Sequence, residues 1–243
     1  MRKLFLLFLY VMSSFTAFAQ DAEKRVFEFA AITEDTKWKQ MSVHERIQAL
    51  QIPEDLIHDI PTSELLETCL GFPYLIDVLF SDDLQQGFKE LTVEFNGFRE
   101  LLLRKDLTEV VLSKNKNLTN EITKTNDNLY DKGLFSIKWL VFEMLLTQDS
   151  FLSSLNDDAK ALLLSSCKEN MKIKNGNPSV FSSLNSIPSY LLFVKQIMDG
   201  DAFKQMKEEE KDLMIRFVKR PVGIPDSLIP LILDHINSNV ISL

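Results

Sequence analysis

Signals that start and stop α-helices recur every 12 to 20 residues along this 243-residue chain, while runs alternating apolar with polar residues are nearly absent. A strand half-buried in a sheet needs an apolar period of two, and an amphipathic helix needs one near 3.6, so this pattern constrains the fold more than any other feature. Ser42-Val43-His44-Glu45 has the spacing of a capping box and opens ERIQALQI. Pro53 takes a first-turn position in PEDLIHDI, and the two acids after it suit a helix N-terminus. Thr62 or Ser63 is placed to cap ELLETCL, which Gly71 and Pro73 end, and Pro73 starts PYLIDVLF. GLFSIKWLVFEMLLTQ is the most apolar segment and the expected centre of the core, with Trp139, Phe142 and Leu146 on one face. The Asn/Thr/Lys-rich stretch 114–128 fits either an exposed helix or a mobile loop. The expected fold is therefore all-α, with many short antiparallel helices in one domain over residues 20–243. They would form a globular array or stack in pairs as in an irregular helical-repeat superhelix.

One stretch tests this reading. QQGFKELTVEFNGFRELLLRKD, residues 85–106, carries Asn96-Gly97, the strongest short-range hairpin signal, inside a helical pattern. As a helix, Phe88, Leu91, Phe95, Phe98 and Leu102 form one apolar stripe at steps of three and four. As a hairpin, the first arm alternates, but the second would turn Glu100 inward and leave Leu101 and Leu103 outside. The spacing predicts a continuous helix over 83–104. Asp82 with Gln85, and Asp106 with Glu109, have capping-box spacing at its start and at the start of the next helix. Glu100 and Arg104 form an i, i+4 pair in the favourable order. A mid-helix glycine costs roughly 1 kcal/mol against alanine, so Gly97 is expected to admit a closely packed neighbour, with a kink or a ligand contact as the alternatives.

The N-terminus speaks to compartment. Arg2 and Lys3 precede an apolar run from Leu4 to Met12, and Ala17-Phe18-Ala19 follows as a small-x-small cleavage site. Residues 1–19 therefore read as a signal peptide, too short to span a membrane, and the mature chain is expected to begin at Gln20 and to be secreted or periplasmic. No later segment is apolar enough to span, so the mature chain is expected to be soluble. Losing Arg2 and Lys3 leaves 25 basic against 35 acidic residues, a net charge of −10, which argues against nucleic acid and anionic membranes as partners. Cys69 and Cys167 both sit in apolar helical runs. An oxidising compartment permits a disulfide between them, while the helical setting suits two small buried hydrophobes.

Catalytic signatures are missing. His44, His58 and His235 form no zinc pair with each other or with the cysteines, and the chain carries no nucleophile elbow and no phosphate-cradling glycine loop. DGDAFKQMKEEE approaches a calcium-loop pattern but places Phe203 where an oxygen ligand belongs. Burial argues against a nucleophilic Cys69, and the position of His235 near a helix C-terminus is explained by the helix dipole. No cofactor and no metal is expected. Glu64, Glu67, Asp77, Glu94, Glu100 and Glu143 all fall on helical segments, and Asp77 and Glu143 lie in the most apolar of these. Their pKa values are the most exposed to shifting, unless each faces water or is paired with a lysine or arginine.

Trp38 to Asp106 also resembles the N-terminal portion of a family of exported, functionally uncharacterised bacterial proteins. The matching residues are Ala49-Leu50-Gln51-Ile52-Pro53, Thr62 through Cys69 with Pro73, Phe95-Asn96-Gly97 through Glu100-Leu101, and Arg104 through Asp106. The resemblance implies an exported helical protein and supplies no mechanism; residues 107–243 lie outside it. Within it, Phe95, Asn96, Gly97, Glu100, Arg104 and Asp106 read as one architectural joint. Gly97 would admit a neighbouring helix, Glu100–Arg104 would fix the exit, and Asp106 would cap the next helix. The reading that follows is a non-enzymatic binding or interaction module with a protein or glycan partner. The alternative is a hydrolase acting on cell-wall or polysaccharide material through two helix-borne carboxylates, which requires two carboxyl groups about 5 to 10 Å apart in an open groove.

Overall fold

Fifteen α-helices and three 3-10 turns build residues 27–239, the residues described by the structure, a computed structural model, and no strand occurs among them. The segment read as a signal peptide lies outside the described residues. α1 (Ala30–Thr33) leads through a 3-10 turn at Trp38–Gln40 into α2 (Val43–Ala49). The capping box opens α2, with Ser42 N donating to Glu45 Oε2 at 2.7 Å and Glu45 N to Ser42 Oγ at 3.3 Å. Pro53 and Pro61 stand at the N-caps of α3 (Glu54–Ile57) and α4 (Thr62–Leu70). Thr62 is thus the first helical residue of α4 rather than its cap, and neither it nor Ser63 caps the helix. Gly71 closes α4, and the segment after Pro73 winds into a 3-10 turn at Leu75–Leu79 instead of an α-helix.

The expected continuous helix over 83–104 is two helices. α5 (Leu84–Glu94) and α6 (Asn96–Leu103) meet at Phe95, whose φ of −119° and ψ of 119° are extended. No hairpin forms either, since Gly97 is helical and no described residue has positive φ. The cap of α5 is shifted by one from the expected pair: Asp83 Oδ1 accepts from Gln86 N at 3.0 Å. Next come α7 (Leu107–Asn115) and α8 (Leu118–Thr123), so the stretch 114–128 holds one short helix followed by turns.

α9 (Leu129–Leu146) is the axis of the core. Its residues from Trp139 to Leu146 are buried on every side, as expected of a helix packed all round. It lies against α4, α5, the 75–79 turn and α10 (Asp149–Leu152). α11 (Asp157–Gly176) follows, then a 3-10 turn at Ser183–Ser186, α12 (Ile187–Asp199) and α13 (Asp201–Gln205). α14 (Glu208–Lys219) and α15 (Leu228–Asn239) complete the order. Asp157 and Asp158 on α11 and Glu208 to Glu210 on α14 sit in first turns, where the helix dipole favours them. α12 packs on α9, α11, α14 and α15, and α11 bridges back to α7 and α8. One apolar cluster runs through all of this, from Phe29 to Ile236. No helix among the described residues is long and apolar enough to cross a membrane.

Candidate functional site

Residues 95–106 make contacts the sequence did not suggest, and Gly97 faces the Phe95 ring rather than a neighbouring helix. Breaking the helix at Phe95 frees the Glu94 carbonyl and the Asn96 N–H. The side-chain amide of Gln51 takes both, donating to Glu94 O at 2.8 Å and accepting from Asn96 N at 3.0 Å. The Asn96 amide does the same for Ile52, donating to its O at 2.7 Å and accepting from its N at 3.0 Å. The Gln51 carboxamide thus stands in for the backbone partners that a continuous helix would have supplied, and the Asn96 carboxamide satisfies the backbone of Ile52 in the connection between α2 and α3. Phe95, released from the helix, turns its ring into the core, stacked on Phe72 at 4.5 Å and edge-on to Phe29 and Phe98.

Arg104 donates to the Ile57 carbonyl at the end of α3 at 2.6 Å. Its Nε stands 2.8 Å from Glu100 Oε1, an ion-pair contact in which the N–H makes no hydrogen bond. His58 Nδ1 lies 3.3 Å from the same oxygen. Asp106 does not cap α7. Its side chain accepts from Thr62 Oγ1 at 2.6 Å, tying α4 to the start of α7, and no side-chain cap is made there. These six residues hold the α2–α4 segment against α5–α7, and none of them lines the grooves described next.

Open surface lies beside α5. A groove of about 450 Å³ runs along the end of the 75–79 turn, with Phe80, Asp82, Asp83 and Glu90 among its walls. A second, of about 310 Å³, runs between α5 and the end of α14, with Lys89, Lys219, Gln148 and Leu102 among its walls. Asp83 and Gln86 border both. Phe80 is 79% exposed. Glu90 accepts from Gln86 Nε2 at 2.7 Å and from Ser81 Oγ, and these bonds, Ser81 first, hold its carboxyl below the usual carboxylate range. Just behind, Glu94 is pushed up by burial, then by the negative charges of Asp77 and Glu90, and burial pushes Asp77 up as well.

The densest polar chemistry is sealed inside. Lys174 Nζ donates three bonds of 2.7 Å each, to Glu143 Oε2, the Asn185 carbonyl and Ser189 Oγ. Glu143 Oε1 accepts from Trp139 Nε1 at 2.9 Å. Glu143, singled out in the sequence as an acid inside an apolar helix, is therefore paired. The lysine was missed, although Leu163, Cys167, Asn170 and Lys174 recur at steps of four, three and four on one buried stripe of α11. The Lys174 and Glu143 side chains are 1% and 5% exposed, so no substrate reaches them. Burial, with Glu143 next, pushes the neighbouring Cys167 thiol up to about 12, and burial raises Cys69 as well. Both cysteines are free and buried, which leaves two inert thiols and no disulfide. Burial also lowers the pKa of His235, opposite to what a helix C-terminal dipole would do. Among the described residues, no group of three His, Cys, Asp or Glu side chains is placed to hold a metal ion.

The class defined by this geometry is an all-α protein with a closed polar core and an open, charge-segregated groove beside one helix. Comparison with protein-family models, curated proteins and solved structures finds no match for the chain.

Proposed function

We propose that this is an exported, soluble, non-enzymatic interaction module whose binding face is the pair of grooves beside α5. The observation that carries the reading is exposed Phe80 on the wall of a groove whose walls include ionised Glu90, while Cys69 and Cys167 are both buried in the core. Exposed aromatics beside fixed polar groups are the usual makings of a recognition surface. The basic start, apolar run and Ala17-Phe18-Ala19 support export, as does the resemblance of residues 38–106 to exported bacterial proteins.

A second reading keeps one observation in its favour. Asp77 and Glu94 are raised and Glu90 is lowered on one edge of the molecule, the split that an acid and its ionised partner need in glycoside hydrolysis. Asp77 and Glu94 are not among the groove walls, and this places the hydrolase second. The two are separated by titrating the mature protein with synthetic peptides and cell-wall oligosaccharides and then recovering each ligand for mass spectrometry. Saturable binding with every ligand recovered intact is expected. Cleavage that Glu94→Gln abolishes would replace the module with the hydrolase, and no binding by any ligand would remove both.

A further inference from the structure

The chain holds two Asn-Gly dipeptides, Asn96-Gly97 and Asn175-Gly176. Glycine has no Cβ to shield its nitrogen, so in such a pair that nitrogen can reach the preceding carboxamide carbon. The fold places the two in opposite settings. At Asn96 both ends of the carboxamide are held by the Ile52 backbone, at 2.7 and 3.0 Å, and Gly97 is buried. Turning that carboxamide onto the Gly97 nitrogen would break both bonds and strand the Ile52 backbone. Asn175 and Gly176 are the last two residues of α11, and both are exposed. The Asn175 carboxamide bonds to no described residue, and a Cβ built on Gly176 would meet nothing within 4 Å. Helical backbone keeps the two groups apart, but the last turn of a helix opens far more readily than its middle. The cap there is Asn177, whose N–H donates to the Lys174 carbonyl at 3.0 Å and whose side chain donates to the Ile173 carbonyl at 2.7 Å.

We infer that Asn175-Gly176 is a self-modification site, at which the exposed end of α11 converts in water to aspartate and isoaspartate. The Gly176 N–H gives its proton to water or hydroxide, and the nitrogen attacks Cγ of Asn175. The new N–Cγ bond forms, the Cγ–Nδ2 bond breaks, and Nδ2 takes up a proton and leaves as ammonia. Water then opens the succinimide at either carbonyl, with no change of oxidation state. Opening at the side-chain carbonyl gives aspartate. Opening at the main-chain carbonyl gives isoaspartate, whose main chain is longer by a methylene. Either product sets a negative charge at the negative end of the α11 dipole. Isoaspartate also carries Asn177 away from both of its capping bonds. Lys174 immediately precedes the site, and its ammonium ties α11 to α9, the 183–186 turn and α12. The modification therefore loosens α11 beside the closed polar core.

The test keeps the full mature protein in mildly alkaline buffer for several weeks, digests it with trypsin and sequences the peptides by mass spectrometry, with the fresh protein as reference. Trypsin separates Asn96, in peptide 90–99, from Asn175, in peptide 175–195. Asn175 should convert at least about tenfold faster than Asn96 in the folded protein, and the two should react at similar rates in urea. Asn175→Gln and Gly176→Ala should each suppress the product, and both positions are exposed, so the fold should hold. The aged protein should unfold at lower urea than the fresh protein, whereas Asn175→Gln aged alongside should keep its midpoint. Equal conversion of Asn96 and Asn175 in the folded protein would overturn the inference. So would an Asn175 that reacts in urea but stays intact in the folded protein, because the end of α11 would then be closed. A converted protein with an unchanged urea midpoint would overturn the loosening of α11.

Discussion

A Cβ placed on Gly97 would stand 2.4 Å from Cε1 of Phe95, and that ring is wedged between Phe72, Phe29 and Phe98. The ring has nowhere to turn, so Gly97→Ala should destabilise by about 1 to 3 kcal/mol although alanine is the better helix former. Urea unfolding decides it, and a stabilised variant would refute the packing argument. Gly87 is tighter still: a Cβ there would meet the Val78 carbonyl oxygen at 2.3 Å. Backbone cannot rotate aside as a side chain can, so Gly87→Ala should cost more than Gly97→Ala. The glycine that the sequence drew attention to is thus the milder of the two. Gly97 stands beside a hairpin-forming asparagine, whereas Gly87 stands in an ordinary helical run and is required only by where the 75–79 turn lands. The fate of Asn96 was equally hidden, because its partner Ile52 lies 44 residues away.

At the scale of elements, Lys174 on α11 joins α9 to the 183–186 turn and α12 through one ammonium group. Removing it as Lys174→Met leaves Glu143 charged in the core and should cost about 3 to 5 kcal/mol. Adding Glu143→Gln removes the stranded charge, so the double variant should lose less than the sum of the singles by about 0.5 to 3 kcal/mol. Strict additivity in urea titrations would show that the two groups do not act as a pair. A second prediction belongs to the 75–79 turn against α5. Asp77 and Glu94 have folded pKa values above their usual 3.8 and 4.5, so the folded state holds their protons more tightly than the unfolded chain. Their contribution to stability is therefore lost as pH rises from those usual values through the folded ones. Asp77→Asn and Glu94→Gln should stabilise at pH 7 and be neutral near pH 3, as measured by denaturant midpoints at the two pH values. A destabilised variant at pH 7 would reverse the sign argued here.

Across the whole molecule, the acidic balance and the N-terminal export pattern meet in one measurement. Mass spectrometry of the protein recovered outside the cytoplasm of the exporting cell should find Gln20 as the first residue, and material that retains Met1 would overturn the export reading. Loss of residues 1–19 would also sharpen the charge segregation, because two lysine or arginine charges leave and no acid does.

What the sequence determined by itself is what depends on near neighbours along the chain. Helical periodicity and caps such as Ser42 and Glu45 act within one turn, so the all-α class and the burial of Trp139, Phe142 and Leu146 could be read directly. The i, i+4 contact of Glu100 with Arg104 was legible for the same reason. Only the tertiary structure decided what depends on residues brought together from afar. The break at Phe95 has no local cause: helix propensity runs through it, while Gln51 replaces two of the lost backbone bonds and Asn96 adds two more to the distant Ile52 backbone. Asp106 likewise left its expected cap for Thr62, 44 residues earlier. The grooves beside α5 are made of side chains from the end of the 75–79 turn, from α5 and α6, from Gln148 before α10 and from the end of α14. No period or motif in one dimension could have placed Phe80, Glu90 and Lys219 along one surface.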